Sequence, residues 1–211
     1  MAAVSLDNFG YILDDVPSAL FEKLKNESLI AEKERYQPSG NSLEMHSGLS
    51  GSHVPKHFYV TKTLNELNEY LISMFFNAYN KEFNYTDILN YLSHPVPLIS
   101  IDPWINIQEK HEFIPNHVHD GIVSFVIWIK IPYDIKKELA SGEHASTFSF
   151  TYNTTIGGIR NHSIRVDKSW EGKIIMFPSA LQHCVYPFYT SDDCRISISG
   201  NISFNTSKEQ S

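Results

Sequence analysis

Two hydrophobic periods divide the chain. Through its first third the apolar positions recur at helical spacing. Val16-Pro17-Ser18 opens a short predicted helix in which Leu20, Phe21 and Leu24 share a face, with Pro17 suited to the first turn. A second predicted helix runs from Thr63 to Tyr79. Thr63 and Glu66 have capping-box spacing, and Leu64, Leu67, Tyr70, Leu71, Met74, Phe75 and Tyr79 form one stripe. Between them lies YQPSGNSLEMHSGLSGSHV, residues 36–54, a Gly/Ser-rich stretch without a period and long for a plain connection. After Pro95 the period becomes two. In LISIDPWINIQ, Ile99, Ile101, Ile105 and Ile107 alternate with Ser100, Asp102, Trp104 and Asn106. Further β-like runs occupy 124–131, 146–152, 162–166, 173–177, 183–187 and 194–204, separated by turn residues such as Ser141-Gly142, Gly157-Gly158 and Glu171-Gly172. The expected fold is mainly β with N-terminal helices: a sandwich or barrel with the helices packed outside.

The last run carries the most information. Ile196, Ile198, Ile202 and Phe204 fall on one face of CRISISGNISF, and Arg195, Ser197, Ser199, Asn201 and Ser203 on the other. An outer, solvated face favours Lys, Glu and Thr. Small serines around one Arg suit a polar cavity, with helices covering the Ile face.

Composition narrows the function. Of 211 residues 42% are hydrophobic and 13% aromatic, enough for one core of ordinary size. Lys plus Arg is 17 against 24 for Asp plus Glu, a formal charge of −7, and no basic run exceeds two residues. Duplex nucleic acid is therefore not an expected partner, because binding it rests on phosphate neutralisation. The longest apolar run, Phe125 to Ile129, stops at Lys130, so no membrane helix is expected. The start MAAVSLDNFG lacks the features of a signal peptide, and two Cys make no disulfide framework, so a cytoplasmic location is expected. Cys184 and Cys194 flank the last turn and read as small buried hydrophobes.

Ten histidines are present. His46, His53, His57, His94, His111, His144 and His162 sit singly and read as surface or hydrogen-bonded side chains. His117 and His119 differ: two apart on a strand, they share a face and can deliver two ligands to one metal. His183 follows a strand and Pro178, where a barrel strand would re-enter the cavity. His-x-His, a strand-rich interval, His, and then Arg195-x-Ser197 is far more specific than His-x-His alone.

These blocks carry a resemblance. NHVHDGIVSFVIWIKIP, GKIIMFPSALQHCVYPF and CRISISGNISF, with Trp104-Ile105-Asn106 before them, resemble phage-type 2-oxoglutarate/Fe(II)-dependent oxygenases over roughly Trp104 to Phe204. The resemblance implies a double-stranded β-helix, a jelly roll with a metal at its open end, over residues 96–211. Residues 1–95 would pack on that barrel as helices and loop, not as an independent domain. It also implies an enzyme that uses Fe(II), 2-oxoglutarate and O2 to hydroxylate a substrate, releasing succinate and CO2. His117, His119 and His183 would hold the iron. The usual His-x-Asp reads His117-Val118-His119 here, and the adjacent Asp120 stands as reserve ligand. Arg195 with Ser197 matches an R-x-S pattern that takes the distal carboxylate of 2-oxoglutarate through a planar fork and a hydroxyl. Asn106 shares a predicted face with Trp104 and is placed in the same co-substrate cavity. Two other readings compete: a three-His cupin-like metalloenzyme that does not use 2-oxoglutarate, and a non-catalytic jelly-roll binding module.

Overall fold

The computed structural model describes residues 1–4, 10–35, 44–45, 56–85 and 97–205. The 36–54 loop lies outside the described residues apart from Glu44–Met45. Helix α1 spans Ser18–Glu34, much longer than its three-residue apolar face suggests. Its buried face continues through Glu27, Ser28 and Ala31, polar or small positions that a hydrophobic count passes over. Helix α2 spans Leu64–Met74 and runs on through a π-helical segment, Phe75–Tyr79, into a last α-turn, Asn80–Phe83. The expected capping box does not form. The backbone N–H of Thr63 is taken by the Glu27 carboxylate (3.0 Å), which also accepts from the N–H groups of Thr61 and Lys62, while Glu66 pairs with Lys23. A tertiary acceptor has replaced the local one.

Eight strands form the larger sheet: β1 (Ala2–Val4), β2 (Tyr11–Asp15), β3 (Glu44–Met45), β4 (Lys56–Tyr59), β5 (Leu98–Gln108), β7 (Val123–Lys130), β10 (Lys173–Pro178) and β12 (Arg195–Phe204), in the order β1-β2-β10-β7-β12-β5-β4-β3. The smaller sheet runs β6-β11-β8-β9, with β6 at Ile114–His117, β8 at Thr147–Asn153, β9 at Ile159–Arg165 and β11 at His183–Val185. All pairings are antiparallel. Two facing antiparallel sheets with this strand alternation make the expected jelly roll. The strands before residue 60 were not expected, because YILDD and KHFY are too short to show a period.

Strand β12 keeps the alternation expected of it. Its Ile196, Ile198 and Ile202 join Ile105, Ile107 and Ile127 in a core completed by Leu20 and Leu24 of α1 and Leu67, Leu71 and Phe75 of the second helix. The helices therefore cover the Ile face, and Arg195, Ser197, Ser199 and Asn201 are left facing the smaller sheet. Strand β5 does not keep its alternation. Asp102 takes a left-handed φ of 37°, and the register slips so that Ser199 opposes Trp104 while Asn201 opposes Ile101. The bulge reverses the phase. Ile99 and Ile101, expected on the same face as Ile105 and Ile107, are exposed, with Ile101 lining the cavity, and Ser100 is buried in their place. Gly200 makes the close approach possible, since a Cβ there would sit 2.8 Å from the Phe125 ring and 3.1 Å from the Pro103 Cα.

Candidate active site

Between the sheets lies a cavity of about 540 Å³, walled by aromatic and aliphatic side chains with a few polar groups among them. That is the size and character of a small-molecule site. At one end stand the three expected histidines. His117, the last residue of β6, is the direct cross-strand partner of His183, the first of β11. His119 lies two residues past the end of β6, outside the strand expected to carry it. An N–H bond from its backbone to the Ser179 carbonyl (3.0 Å) holds the segment in place. The ligand atoms of all three lie within 4.8 Å of one another, and the Nε2 atoms of His117 and His119 are 3.1 Å apart. Asp120 lines the same cavity from an exposed position and is not part of that cluster. Gly121, with φ of 120°, follows; a Cβ there would press on the Ile202 carbonyl at 3.0 Å.

The donor set suits a divalent metal. His117 Nδ1 faces the Pro115 carbonyl at 2.7 Å and His183 Nδ1 faces the Leu181 carbonyl at 2.9 Å. A carbonyl only accepts, so each Nδ1 carries the proton and each Nε2 offers a lone pair to the cavity. Burial holds all three rings below the ordinary histidine range. His183 is pushed to about 3 and His119 to about 4, with the neighbouring His117 adding to both, while His117 itself is lowered by burial and partly restored by the Pro115 carbonyl. Neutral imidazoles are what a metal requires.

At the other end stands Arg195, 3% exposed. Nε and Nη2 donate to Gln108 Oε1 (3.0 and 2.6 Å), Nη2 also to the Tyr186 carbonyl, and Nη1 to Tyr133 Oη and the Ser146 carbonyl. Ser146 is fully buried with a φ of 60°, a costly conformation that turns its carbonyl to the guanidinium. All four partners are neutral. Among the described residues no carboxylate pairs with Arg195.

Between the two ends, Asn106 accepts from Trp104 Nε1 (2.9 Å) and donates to Ser199 Oγ (2.9 Å) and Ser197 Oγ (3.3 Å). Its side chain is spent on neighbours, so it holds the two serines with their own hydroxyl protons available. One residue of this cavity was passed over in the sequence. His57, read as a surface or hydrogen-bonded histidine, is 7% exposed, lines the cavity and opposes Asn106 across β4 and β5. No sequence signal marks it, because its strand has four residues and the β5 residue it opposes, Asn106, lies 49 positions away. Cys184 and Cys194 are buried and free, as expected.

Comparisons with known proteins agree with this geometry. Residues 102–201 match the family model described as "Putative 2OG-Fe(II) oxygenase". No curated protein sequence matches. Solved structures with the same fold include a Pseudomonas putida prolyl-4-hydroxylase, with a TM-score of 0.57, 12% identity and coverage of 92% of each chain. A Trichoplax adhaerens prolyl hydroxylase in complex with a hypoxia-inducible-factor peptide aligns with a TM-score of 0.59 and 10% identity, over 94% of this chain and 84% of that one. The viral collagen prolyl hydroxylase of Paramecium Bursaria Chlorella virus-1, as its 2-oxoglutarate complex, gives 0.50 and 12%, over 91% and 94%. None of these descriptions carries the phage-type qualifier.

Proposed function

We infer that this chain, whose residues 102–201 match the 2-oxoglutarate/Fe(II) oxygenase family model, is a 2-oxoglutarate- and Fe(II)-dependent oxygenase in which His117, His119 and His183 hold the iron and Arg195 and Ser197 take the distal carboxylate of 2-oxoglutarate. The observation that carries this is the pairing, in one cavity, of three neutral imidazoles with a buried cation that lacks a carboxylate. Burying a charge with no countercharge among the described residues is costly even when its N–H groups are hydrogen-bonded, and a dianionic co-substrate reaching from the metal would relieve it. A cupin-like enzyme without 2-oxoglutarate, or an inert module, would give Arg195 no such purpose.

Each residue then has a task. The Pro115 and Leu181 carbonyls fix the tautomers that present Nε2 to iron. Asn106 is a positioning residue: by donating to the oxygens of Ser197 and Ser199 it directs their protons to the co-substrate. Phe148, Phe177 and Trp128 wall the cavity and exclude water. Bound there, Fe(II) supplies the activation of O2 that couples decarboxylation of 2-oxoglutarate, to succinate and CO2, with oxidation of a second substrate. Asp120, exposed at the cavity wall, does not serve as a ligand in this reading. We read residues 1–95 as a flank of the 96–211 core, supported by β2 and β4 bonding into its larger sheet. The acidic balance disfavours duplex nucleic acid as the second substrate, and a reducing compartment suits two buried free thiols.

The test is spectroscopic. Anaerobic protein should develop a visible charge-transfer band only when both Fe(II) and 2-oxoglutarate are present. A band that forms without 2-oxoglutarate, or no band with both, overturns the assignment.

A further inference from the structure

His57 is a buried polar side chain of the cavity that the roles above do not use. Both of its ring nitrogens are buried without a hydrogen-bond partner among the described residues. A buried polar atom left unpaired costs roughly 1–3 kcal/mol, and His57 carries two. Such a group in a native cavity calls for a reason.

Its place in the ladder gives one. His57 opposes Asn106, and Asn106 opposes Ser197, so His57 stands two strands from β12, or about 10 Å at ordinary strand spacing. Arg195 lies a further inward-facing position along β12, diagonally away. The His57 ring instead neighbours Trp104 (6.3 Å between centroids), and Trp104 neighbours His119 (5.6 Å). A co-substrate stretched from the histidines to Arg195 lies along β12 and leaves the His57 side of the cavity open. The wall there includes Trp104 and Ile101, the latter turned inward by the β5 bulge.

We propose that His57 is a specificity-determining residue, whose imidazole hydrogen-bonds an amide group of the second substrate beside an apolar portion packed on Trp104 and Ile101. The proposal rests on the oxygenase reading for which ligand is second, but not for the contact itself. The neutral ring has one N–H donor and one lone-pair acceptor, and a secondary amide can pair with either one, its carbonyl with the N–H or its own N–H with the lone pair. Burial, with His117 adding, holds the ring below its ordinary range and therefore neutral at pH 7. A carboxylate offers acceptors only, so it cannot meet the lone-pair nitrogen, and among the described residues lining this side it would meet no cation.

The indole N–H of Trp104, close to both rings, is a reporter common to every variant. It is followed by heteronuclear NMR and assigned through Trp104→Phe. Metal-free protein is titrated with N-methylacetamide and, separately, with acetate. N-methylacetamide should shift the Trp104 indole and the His57 ring signals, and acetate should leave both in place. His57→Phe should weaken the N-methylacetamide response roughly tenfold, while His57→Gln, which keeps a donor and an acceptor, should hold it within about threefold. A second arm adds Zn(II) and 2-oxoglutarate to the wild type, and the His57 ring signals should stay where the metal alone leaves them. A stronger response to acetate, an equal N-methylacetamide response in His57→Phe, or movement of His57 on adding 2-oxoglutarate overturns the proposal. Failure of Zn(II) and 2-oxoglutarate to bind would instead count against the oxygenase site, and the amide arm would still be readable.

Discussion

At the histidine end of the cavity the Nε2 lone pairs of His117 and His183 are turned inward, that of His117 toward His119 Nε2 at 3.1 Å, whereas at the arginine end every N–H of Arg195 already ends on a protein oxygen. The first end is built to receive. Backbone carbonyls fix the tautomers of His117 and His183 from outside, and the contact between His117 and His119 must open for an incoming ion. The second end is built to hold its own group still. Gln108 Oε1 alone spans Nε and Nη2, the edge at which a carboxylate could place two oxygens. Metal binding therefore meets a prepared site, while the co-substrate must compete with Gln108 or take the guanidinium from another side. Loss of a residue at the first end should strike ligand binding, and at the second end both ligand and fold.

His183→Ala should break the first half of this comparison most visibly. Fe(II) affinity by calorimetry under argon should fall by roughly a hundredfold or more, since the centre loses a ligand outright. The metal-free variant should unfold near the wild-type urea midpoint, because the side chain removed is a cavity ligand. A large loss of stability with metal binding intact would mean that His183 is a core residue.

Arg195→Leu should show the opposite balance. Affinity for 2-oxoglutarate should fall roughly tenfold to a hundredfold with Fe(II) binding largely kept. Stability should also fall, by roughly 2–3 kcal/mol, because Gln108, Tyr133 and the Ser146 and Tyr186 carbonyls lose their donor in a buried place. Arg195→Lys keeps the charge and loses the planar fork, so its 2-oxoglutarate affinity should lie between the two. Unchanged affinity in both variants would place the distal carboxylate elsewhere.

How much of this could be read in the sequence follows from range. The Arg195/Ser197 face was legible because period-two alternation survives in β12, whereas His117, His119 and His183 were legible from their spacing, although His119 lies past the end of β6. The reversal in β5 was not, because Asp102-Pro103 breaks the period and only the partner strand shows by how much. Helix α1 was underestimated since Glu27 and Ser28 are buried by tertiary contacts: Glu27 serves the turn before α2 from 34 to 36 positions away. Asn106 was placed in the right cavity, but its service to the serines depends on cross-strand register. His57 was misread for the same reason. A four-residue strand has too few positions to show which face is inside.

Acid should separate the two ends again, because only the histidine end titrates in the accessible range. The unfolded chain protonates its histidines near 6.5, while the fold holds His57 and His119 at about 4 and His183 at about 3. Between pH 6.5 and about 4 the unfolded state binds more protons. The stability linked to these rings is therefore complete above about pH 6.5 and is lost as pH falls toward the folded values. Urea midpoints of metal-free protein at pH 7 and pH 5 should show that loss, and His57→Phe should lose less. An equal loss in the variant would mean that His57 is already accessible to protons.

The smallest expected effect decides the ligand set. Asp120 follows the His-x-His pair, and a carboxylate is the usual companion of two imidazoles at Fe(II). Here its side chain is exposed, and the ligand-atom cluster closes on His119 instead. The segment is pinned by the His119 N–H bond to the Ser179 carbonyl and by the close approach of Gly121 to Ile202. Swapping Asp120 inward would require breaking the first and opening the second. Asp120→Asn should therefore change Fe(II) affinity by less than about threefold, as for a nearby charge screened by solvent. His119→Ala should cost far more, and His119→Asp, which puts a carboxylate where the ring now stands, should recover much of the loss. If Asp120→Asn instead abolishes binding while His119→Ala is tolerated, the iron is held by His117, His183 and Asp120, and His119 belongs to the cavity wall beside Trp104.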